Sequence, residues 1–206
     1  MIKYDYIFLD FDGPVLDGKN RHYRCYKDIL LKYGGNPVSL EQYWKMKRSR
    51  VSRRTLLELS SFAGSYDEYM NEWLTRIEQK EYLQYDKLWP NVITAIEKLK
   101  EQTKQLYLVT MRQNEENLNW QLQQLQLVKL FDRVMCCSLN QEQTKYALLK
   151  DIFFEKALFI GDTEVDIETA KLCGSEFKGV LNGLRDKQVF PKESAYPDLY
   201  QLALSL

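Results

Sequence analysis

The chain has 206 residues, 45% of them hydrophobic, with 29 basic residues set against 29 acidic ones. That is enough for a sizeable core, built as one large domain or as one domain carrying an insertion. The balanced charge gives no global attraction to nucleic acid or to an anionic membrane, so neither is expected as a partner. No apolar run approaches the ~20 residues that span a bilayer. The first residues, Met1-Ile2-Lys3-Tyr4-Asp5, carry neither the apolar core nor the cleavage site of a signal peptide. A cytoplasmic location is expected. Four cysteines, Cys25, Cys136, Cys137 and Cys173, show no C-x-x-C spacing and read as reduced thiols. The one histidine, His22, excludes a zinc site made of several histidines and is expected at the surface of a polar helix.

In chain order, the first informative stretch is Ile7-Phe8-Leu9-Asp10-Phe11-Asp12-Gly13-Pro14. A short apolar run closed by turn residues predicts a buried strand running into a loop. At the C-terminal edge of a parallel sheet, such a loop lies where α/β folds bind ligands. Asp10 and Asp12 would repel each other there, and a hard divalent cation such as Mg²⁺ would remove that penalty. A strand followed by a plain Asp-Gly turn is the structural alternative.

Residues 18 to 85 contain no convincing parallel-sheet strand. Tyr23, Tyr26, Ile29, Leu30 and Tyr33 recur at helical spacing over 22–33, before Gly34-Gly35. Ser39-Leu40-Glu41-Gln42 resembles a capping box opening a second helix. Leu56, Leu57 and Leu59 mark a third helix over 52–62. Tyr69, Met70, Trp73, Leu74 and Ile77 mark a fourth over 65–83. The stretch reads as a bundle of about four helices.

The pattern then changes. Helices are predicted over 92–99, 115–125, 141–153, 165–172 and 197–204. Strands are predicted over 106–109, 133–137, 157–160 and 177–181. With the first strand, this alternation means parallel βαβ units in a three-layer α/β sandwich.

Parallel strands put all their C-terminal ends on one side. Asp10 and Asp12, Thr110, and Gly161-Asp162 with Asp166 can therefore converge, and Lys145 lies near the start of a helix between two strands. Two carboxylates, a hydroxyl, a cation and a further acidic pair suit phosphoryl transfer: charge neutralisation, positioning and a nucleophile. No GxxxxGK[ST] is present, so this is not a P-loop enzyme.

At these residues the chain resembles the haloacid dehalogenase-like superfamily, in its phosphatase branch. The resemblance covers about residues 4–16 and 86–206. Asp10-Phe11-Asp12-Gly13-Pro14-Val15-Leu16 matches the first motif and Leu106 to Thr110 the second. Lys145 matches the third, with Lys150 and Lys156 as alternatives. Gly161, Asp162 and Asp166 match the fourth. Leu88-Trp89-Pro90-Asn91-Val92 and Val180-Leu181-Asn182-Gly183 are similar to segments of the phosphoglycolate-phosphatase-like branch.

The resemblance implies a Rossmann-like core of residues 1–16 and 86–206 with an inserted helical cap, 17–85. It implies a Mg²⁺-dependent phosphomonoester hydrolase acting on a small phosphorylated metabolite. Asp10 would be the nucleophile and Asp12 the general acid and base. Mg²⁺ would be held by Asp10, the Asp12 carbonyl and Asp162, with Asp166 orienting bound water or Lys145. Thr110 would bind phosphate. A monomer is expected, with a dimer as the alternative.

Position 14 departs from the pattern, being Pro where Thr is commonest. Pro fixes the turn and removes one N–H. Short linkers near Asp17-Gly18 and Asp86-Lys87 are expected to act as a hinge, with Gly18 supplying backbone freedom. In the cap, Lys45, Lys47, Arg48, Arg50, Arg53 and Arg54 form either a solvated face or a grip on an anionic leaving group. Glu164 reads as plain helix surface. A mutase of the same fold would look identical at the core. A receiver-like module lacks the insertion, and the dehalogenase branch lacks the second Asp.

Overall fold

The computed structural model describes residues 2–137, 144–192 and 194–206. Its elements run in chain order as β1 (Tyr4–Leu9), β2 (Leu16–Asp17), α1 (Lys19–Lys32), α2 (Leu40–Arg48), α3 (Arg53–Leu59), α4 (Tyr66–Arg76), α5 (Lys80–Leu83), β3 (Lys87–Leu88), α6 (Val92–Lys100) and β4 (Thr103–Thr110). They continue as α7 (Glu115–Gln124), β5 (Arg133–Cys136), α8 (Lys145–Leu149), β6 (Ala157–Gly161), α9 (Glu164–Cys173), β7 (Glu176–Val180), β8 (Ala195–Tyr196) and α10 (Leu199–Ser205). The chain packs into two compact units, Met1–Asp17 with Leu88–Leu206, and Gly18–Lys87.

The first unit is a six-stranded sheet in the order β5-β4-β1-β6-β7-β8. Every neighbouring pair is parallel. β1 is central because Ile7, Phe8 and Leu9 are buried on both faces, as a continuous apolar run requires. Alternate side chains go to opposite faces. Ile7 and Leu9 join Leu106, Leu108, Leu158 and Ile160 against α6, α7 and α10. Phe8 joins Val109 and Phe159 against α8 and α9. These two apolar layers make the three-layer α/β sandwich that the alternating pattern predicts.

From β1 the chain steps outward through β4 and β5 on one side, and through β6, β7 and β8 on the other. That reversal is where open α/β sheets bind ligands. Register then fixes what meets there. Leu9 lies opposite Leu108 on one side and Ile160 on the other, so Asp10, Thr110 and Asp162 leave the same sheet edge.

The second unit is helical. Cys25, Tyr26, Ile29 and Leu30 on α1 are buried with Tyr43, Leu56, Leu57, Tyr69 and Trp73. Tyr26 stacks on Tyr43 at 4.7 Å between centroids, and its hydroxyl lies 2.6 Å from Ser60 Oγ. Ser39, Ser52 and Ser65 each cap a helix with the side-chain oxygen.

Several expectations are corrected here. The helix predicted over 65–83 is two helices. Gln79 is extended (φ −72°, ψ 146°) and its amide donates to Thr75 O, closing the last turn of α4. The helical unit therefore has five helices. The helix predicted over 141–153 is described only as Lys145–Leu149; residues 141–143 lie outside the described residues. Its expected tail, 150–153, is not helical, and Phe154 just beyond it packs against the Tyr6 and Phe8 rings. A sixth strand, β8, is too short to show a period. His22 is not on the surface: it is half-buried, 3.1 Å from Lys47 Nζ and beside the Trp73 ring. Gly18 has φ −88°, which any residue adopts, so no special backbone freedom is used there. Among the described residues no helix is long and apolar enough to cross a membrane.

Candidate active site

Asp10 is the first residue past β1, and its N–H still donates to Ile160 O at 2.9 Å. The carboxylate is thus carried on the most buried strand of the sheet. The loop beyond it is locked. Gly13 N donates to Leu16 O, Leu16 N to Phe11 O, and Trp89 Nε1 to Gly13 O at 2.7 Å. Gly13 has φ +102°, a region that L side chains rarely adopt. Pro14 is buried within this turn and offers no N–H of its own.

Lys145, at the first turn of α8, is almost fully buried. Its Nζ lies 2.7 Å from Asp10 Oδ1 and 2.6 Å from Asp166 Oδ1. The alternatives lie elsewhere. Lys150 is exposed, and Lys156 is a half-exposed surface side chain 3.5 Å from Glu176. Asp166 uses both oxygens. Besides Lys145, it accepts from Asp162 N, Thr163 N and Thr163 Oγ1 at 3.1, 2.9 and 2.7 Å. Asp166 is therefore a clamp that fixes Lys145 and the start of α9. Thr110, the last residue of β4, is buried on the same edge.

Asp162 sits close to two glycines. A Cβ on Gly13 would lie 2.2 Å from its Cγ, and one on Gly183 would lie 2.1 Å from its Oδ2. That Oδ2 accepts from Leu184 N, while Oδ1 is buried with no hydrogen-bond partner. A buried, unpartnered carboxylate oxygen is costly unless something else meets it. Carboxylate oxygens of Asp10, Asp162 and Asp166 all lie within 4.8 Å of one another. Three clustered acids against one ammonium leave excess negative charge, and hard oxygen donors suit Mg²⁺. The residues fit such an ion.

The electrostatics agree. Burial, opposed by Lys145 and reinforced by Asp166, pushes the Asp10 carboxyl up to about 7. Burial likewise raises Asp162 well above the usual carboxylate range, with Asp10 and Asp166 adding to it. Burial works against the Lys145 charge, but the fields of Asp10 and Asp166 outweigh it and raise the ammonium. Without a further cation, the site favours taking up protons.

Asp12 meets a second cation, Arg112. Both of its oxygens are taken by Arg112, with Nε to Oδ2 at 2.7 Å and Nη2 to Oδ1 at 2.8 Å. Sequence reading missed Arg112. Its only signal is position: it follows Thr110 by two residues, on the loop leaving the same sheet edge. Sequence reading noted Gly183 only within a family-like segment and missed Leu184; both shape the Asp162 pocket. Glu164 is not free surface either: Arg185 Nε reaches both of its oxygens at 2.9 and 3.0 Å.

A family model for haloacid dehalogenase-like hydrolases matches residues 6–180. No curated protein sequence matches the chain. Among solved structures, a predicted phosphatase from Clostridium acetobutylicum superposes with a TM-score of 0.76 at 17% identity, covering 98% of each chain. A predicted phosphoglycolate phosphatase from Haemophilus somnus 129pt gives 0.76 at 18% identity, covering 100% of each. A candidate β-phosphoglucomutase from Thermotoga maritima gives 0.69 at 19% identity, covering 98% of this chain and 97% of its own. At these identities the superpositions establish the shared fold. The family match spans most of the chain and includes the strand ends that carry Asp10, Asp12, Thr110 and Asp162, and the start of α9 with Asp166. On that match, the chain belongs to the haloacid dehalogenase-like hydrolase family.

Proposed function

We propose that this hydrolase is a Mg²⁺-dependent phosphomonoesterase acting on a small phosphorylated metabolite. The observation that carries the reading is the buried cluster at the end of β1, where Lys145 bridges Asp10 and Asp166 beside the unpartnered Oδ1 of Asp162. A surface salt bridge needs no such arrangement, and a structural core would not retain three acids around one cation.

In this reading Asp10 attacks phosphorus. The ester P–O bond breaks, its electron pair goes to the leaving alcohol oxygen, and Asp12 gives that oxygen a proton. Water then attacks phosphorus of the aspartyl-phosphate. Asp12 takes its proton, phosphate leaves, and Asp10 is regenerated. Lys145 neutralises charge on the phosphoryl oxygens, and Thr110 donates to one of them. Asp166 holds Lys145 in place. Asp10, the Asp12 carbonyl and Asp162 would hold Mg²⁺, which when bound draws charge from the phosphoryl group. The helical unit would act as the cap that selects substrate.

The test is phosphate release from a panel of monoesters, with Mg²⁺ and with EDTA. Release that depends on Mg²⁺ supports the reading. No release from any ester, or release undiminished by EDTA, overturns it. The same core chemistry serves a mutase, and product analysis separates the two: inorganic phosphate from one, a phosphate isomer from the other.

A further inference from the structure

Arg112 lies on the loop after β4, with its side chain 3% exposed, whereas that of Asp12 is 33% exposed. The guanidinium is anchored from behind. Nη2 also reaches Gln121 Oε1 on α7 at 3.5 Å, and the group lies 5.8 Å from the Phe11 ring centroid. Gln121 is itself buried. The cation is therefore fixed by the core, and the acid that it grips is the half-open partner. A planar fork meeting both oxygens of a carboxylate sets the plane of that carboxylate as well as its position.

We infer that Arg112 is the positioning residue for Asp12: its fork holds the Asp12 carboxyl in the orientation from which the proton passes to the leaving oxygen. This rests on the phosphomonoesterase reading above. Asp12 sits on a loop locked at its backbone, but a short side chain one-third exposed to water can still turn about its own bonds. The fork limits that rotation, and proton transfer needs alignment within hydrogen-bond reach. As the proton leaves, negative charge develops on Asp12. A fixed guanidinium meets that charge without having to reorganise. Lys at position 112 would supply charge but no fork.

The test uses a leaving-group series, because a merely structural role would lower every substrate alike. The probes are phenyl phosphates of graded leaving-group pKa, from p-nitrophenyl phosphate to phenyl phosphate, with kcat/KM measured in Mg²⁺. Good leaving groups need little help from an acid; poor ones need it. Arg112→Gln should reduce phenyl phosphate turnover about 10-fold more than p-nitrophenyl phosphate turnover, within the 10²–10⁴-fold that general acids supply. Arg112→Lys should steepen the dependence less, and it serves as the test should Arg112→Gln fail to fold. In an Asp12→Asn background the dependence is already steep, and adding Arg112→Gln should change it little. A uniform loss across the series, a shallower dependence, or equal effects with and without Asp12 would overturn the inference. A wild type that releases phosphate from no monoester at all would instead overturn the phosphomonoesterase reading, and the inference with it.

Discussion

Lys145 Nζ and Asp10 Oδ1 lie 2.7 Å apart, with neither side chain more than a tenth exposed. A carboxylate so placed keeps its charge only through its neighbours, and it is the acid nearest the sheet reversal. Asp10→Asn keeps an oxygen for Lys145 but cannot form an acyl-phosphate. Phosphate release should fall about 10³-fold or more, as for residues central to a catalytic unit. Thermal unfolding should confirm that the variant is folded. Wild-type-like turnover would remove Asp10 as the nucleophile.

Metal should stabilise the fold in a pH-dependent way. In the metal-free protein the Asp10 carboxyl titrates at about 7, raised above its unfolded value of 3.8, chiefly by burial. Between those two values the folded state binds more protons than the unfolded state. Metal-free stability should therefore fall as pH rises through that window. Mg²⁺ requires the ionised acids, so its binding competes with protons. Added Mg²⁺ should raise the Tm by more at pH 8 than at pH 5. Thermal melts at both values, with Mg²⁺ and with EDTA, provide the measurement. An equal shift at both, or none, would argue against a metal on Asp10 and Asp162.

Gly183 tests the Asp162 pocket from the other side. Its added Cβ would lie 2.1 Å from Asp162 Oδ2, while no left-handed backbone demand is involved. The cost of Gly183→Ala is therefore steric and falls on Asp162. The Mg²⁺ concentration for half-maximal activity should rise, by about 10-fold or more if the substitution acts as lost outer support of a metal ligand does. Titration of activity with Mg²⁺ would show this; an unchanged midpoint would mean that Asp162 has room to shift without consequence.

The central strand was legible because Ile7-Phe8-Leu9 is an unbroken apolar run, and only a strand covered on both faces needs one. Asp10, Thr110 and Asp162 were legible for a related reason: each closes or follows an apolar run, so strand polarity places them on one edge, and Asp166 follows in the first turn of the next helix. Arg112 was not legible, because a cation in a loop carries no period, and its partner is 100 residues away. The basic run from Lys45 to Arg54 was ambiguous in sequence. In the structure, Arg53 lies over the Trp73 ring at 5.0 Å, Arg54 over Tyr66 at 4.0 Å and Lys47 over Trp73 at 5.3 Å. Aromatic neighbours distant in sequence decide where those charges sit. β8 pairs over only two residues, Ala195 and Tyr196, and the break between α4 and α5 turns on one extended residue, Gln79; neither shows as a residue period.

Three lysines were candidates for one role, and substitution can separate them. Lys145 is surrounded by Asp10 and Asp166, and its ring-side neighbour is Phe159 at 5.8 Å. Replacing it by Met keeps much of the volume but removes the charge, which leaves two buried acids facing each other. Breaking a buried pair in this way costs about 3–5 kcal/mol, and proton uptake by Asp10 would offset part of it. Asp166 keeps its three bonds from Asp162 N, Thr163 N and Thr163 Oγ1, so α9 should hold its start. Lys145→Met should therefore fold with a lowered Tm and lose activity by about 10²-fold or more, the size seen when one preorganised donor is removed. Lys156→Met removes a half-exposed partner of Glu176, an interaction worth about 0–1 kcal/mol. Lys150→Met alters an exposed turn position. Both should retain activity within about twofold, since surface substitutions away from special features stay within about ±0.5 kcal/mol. Steady-state kinetics and thermal melts on the three variants make the comparison. A loss in Lys150→Met or Lys156→Met equal to that in Lys145→Met would detach the active-site cation from the buried cluster at the end of β1.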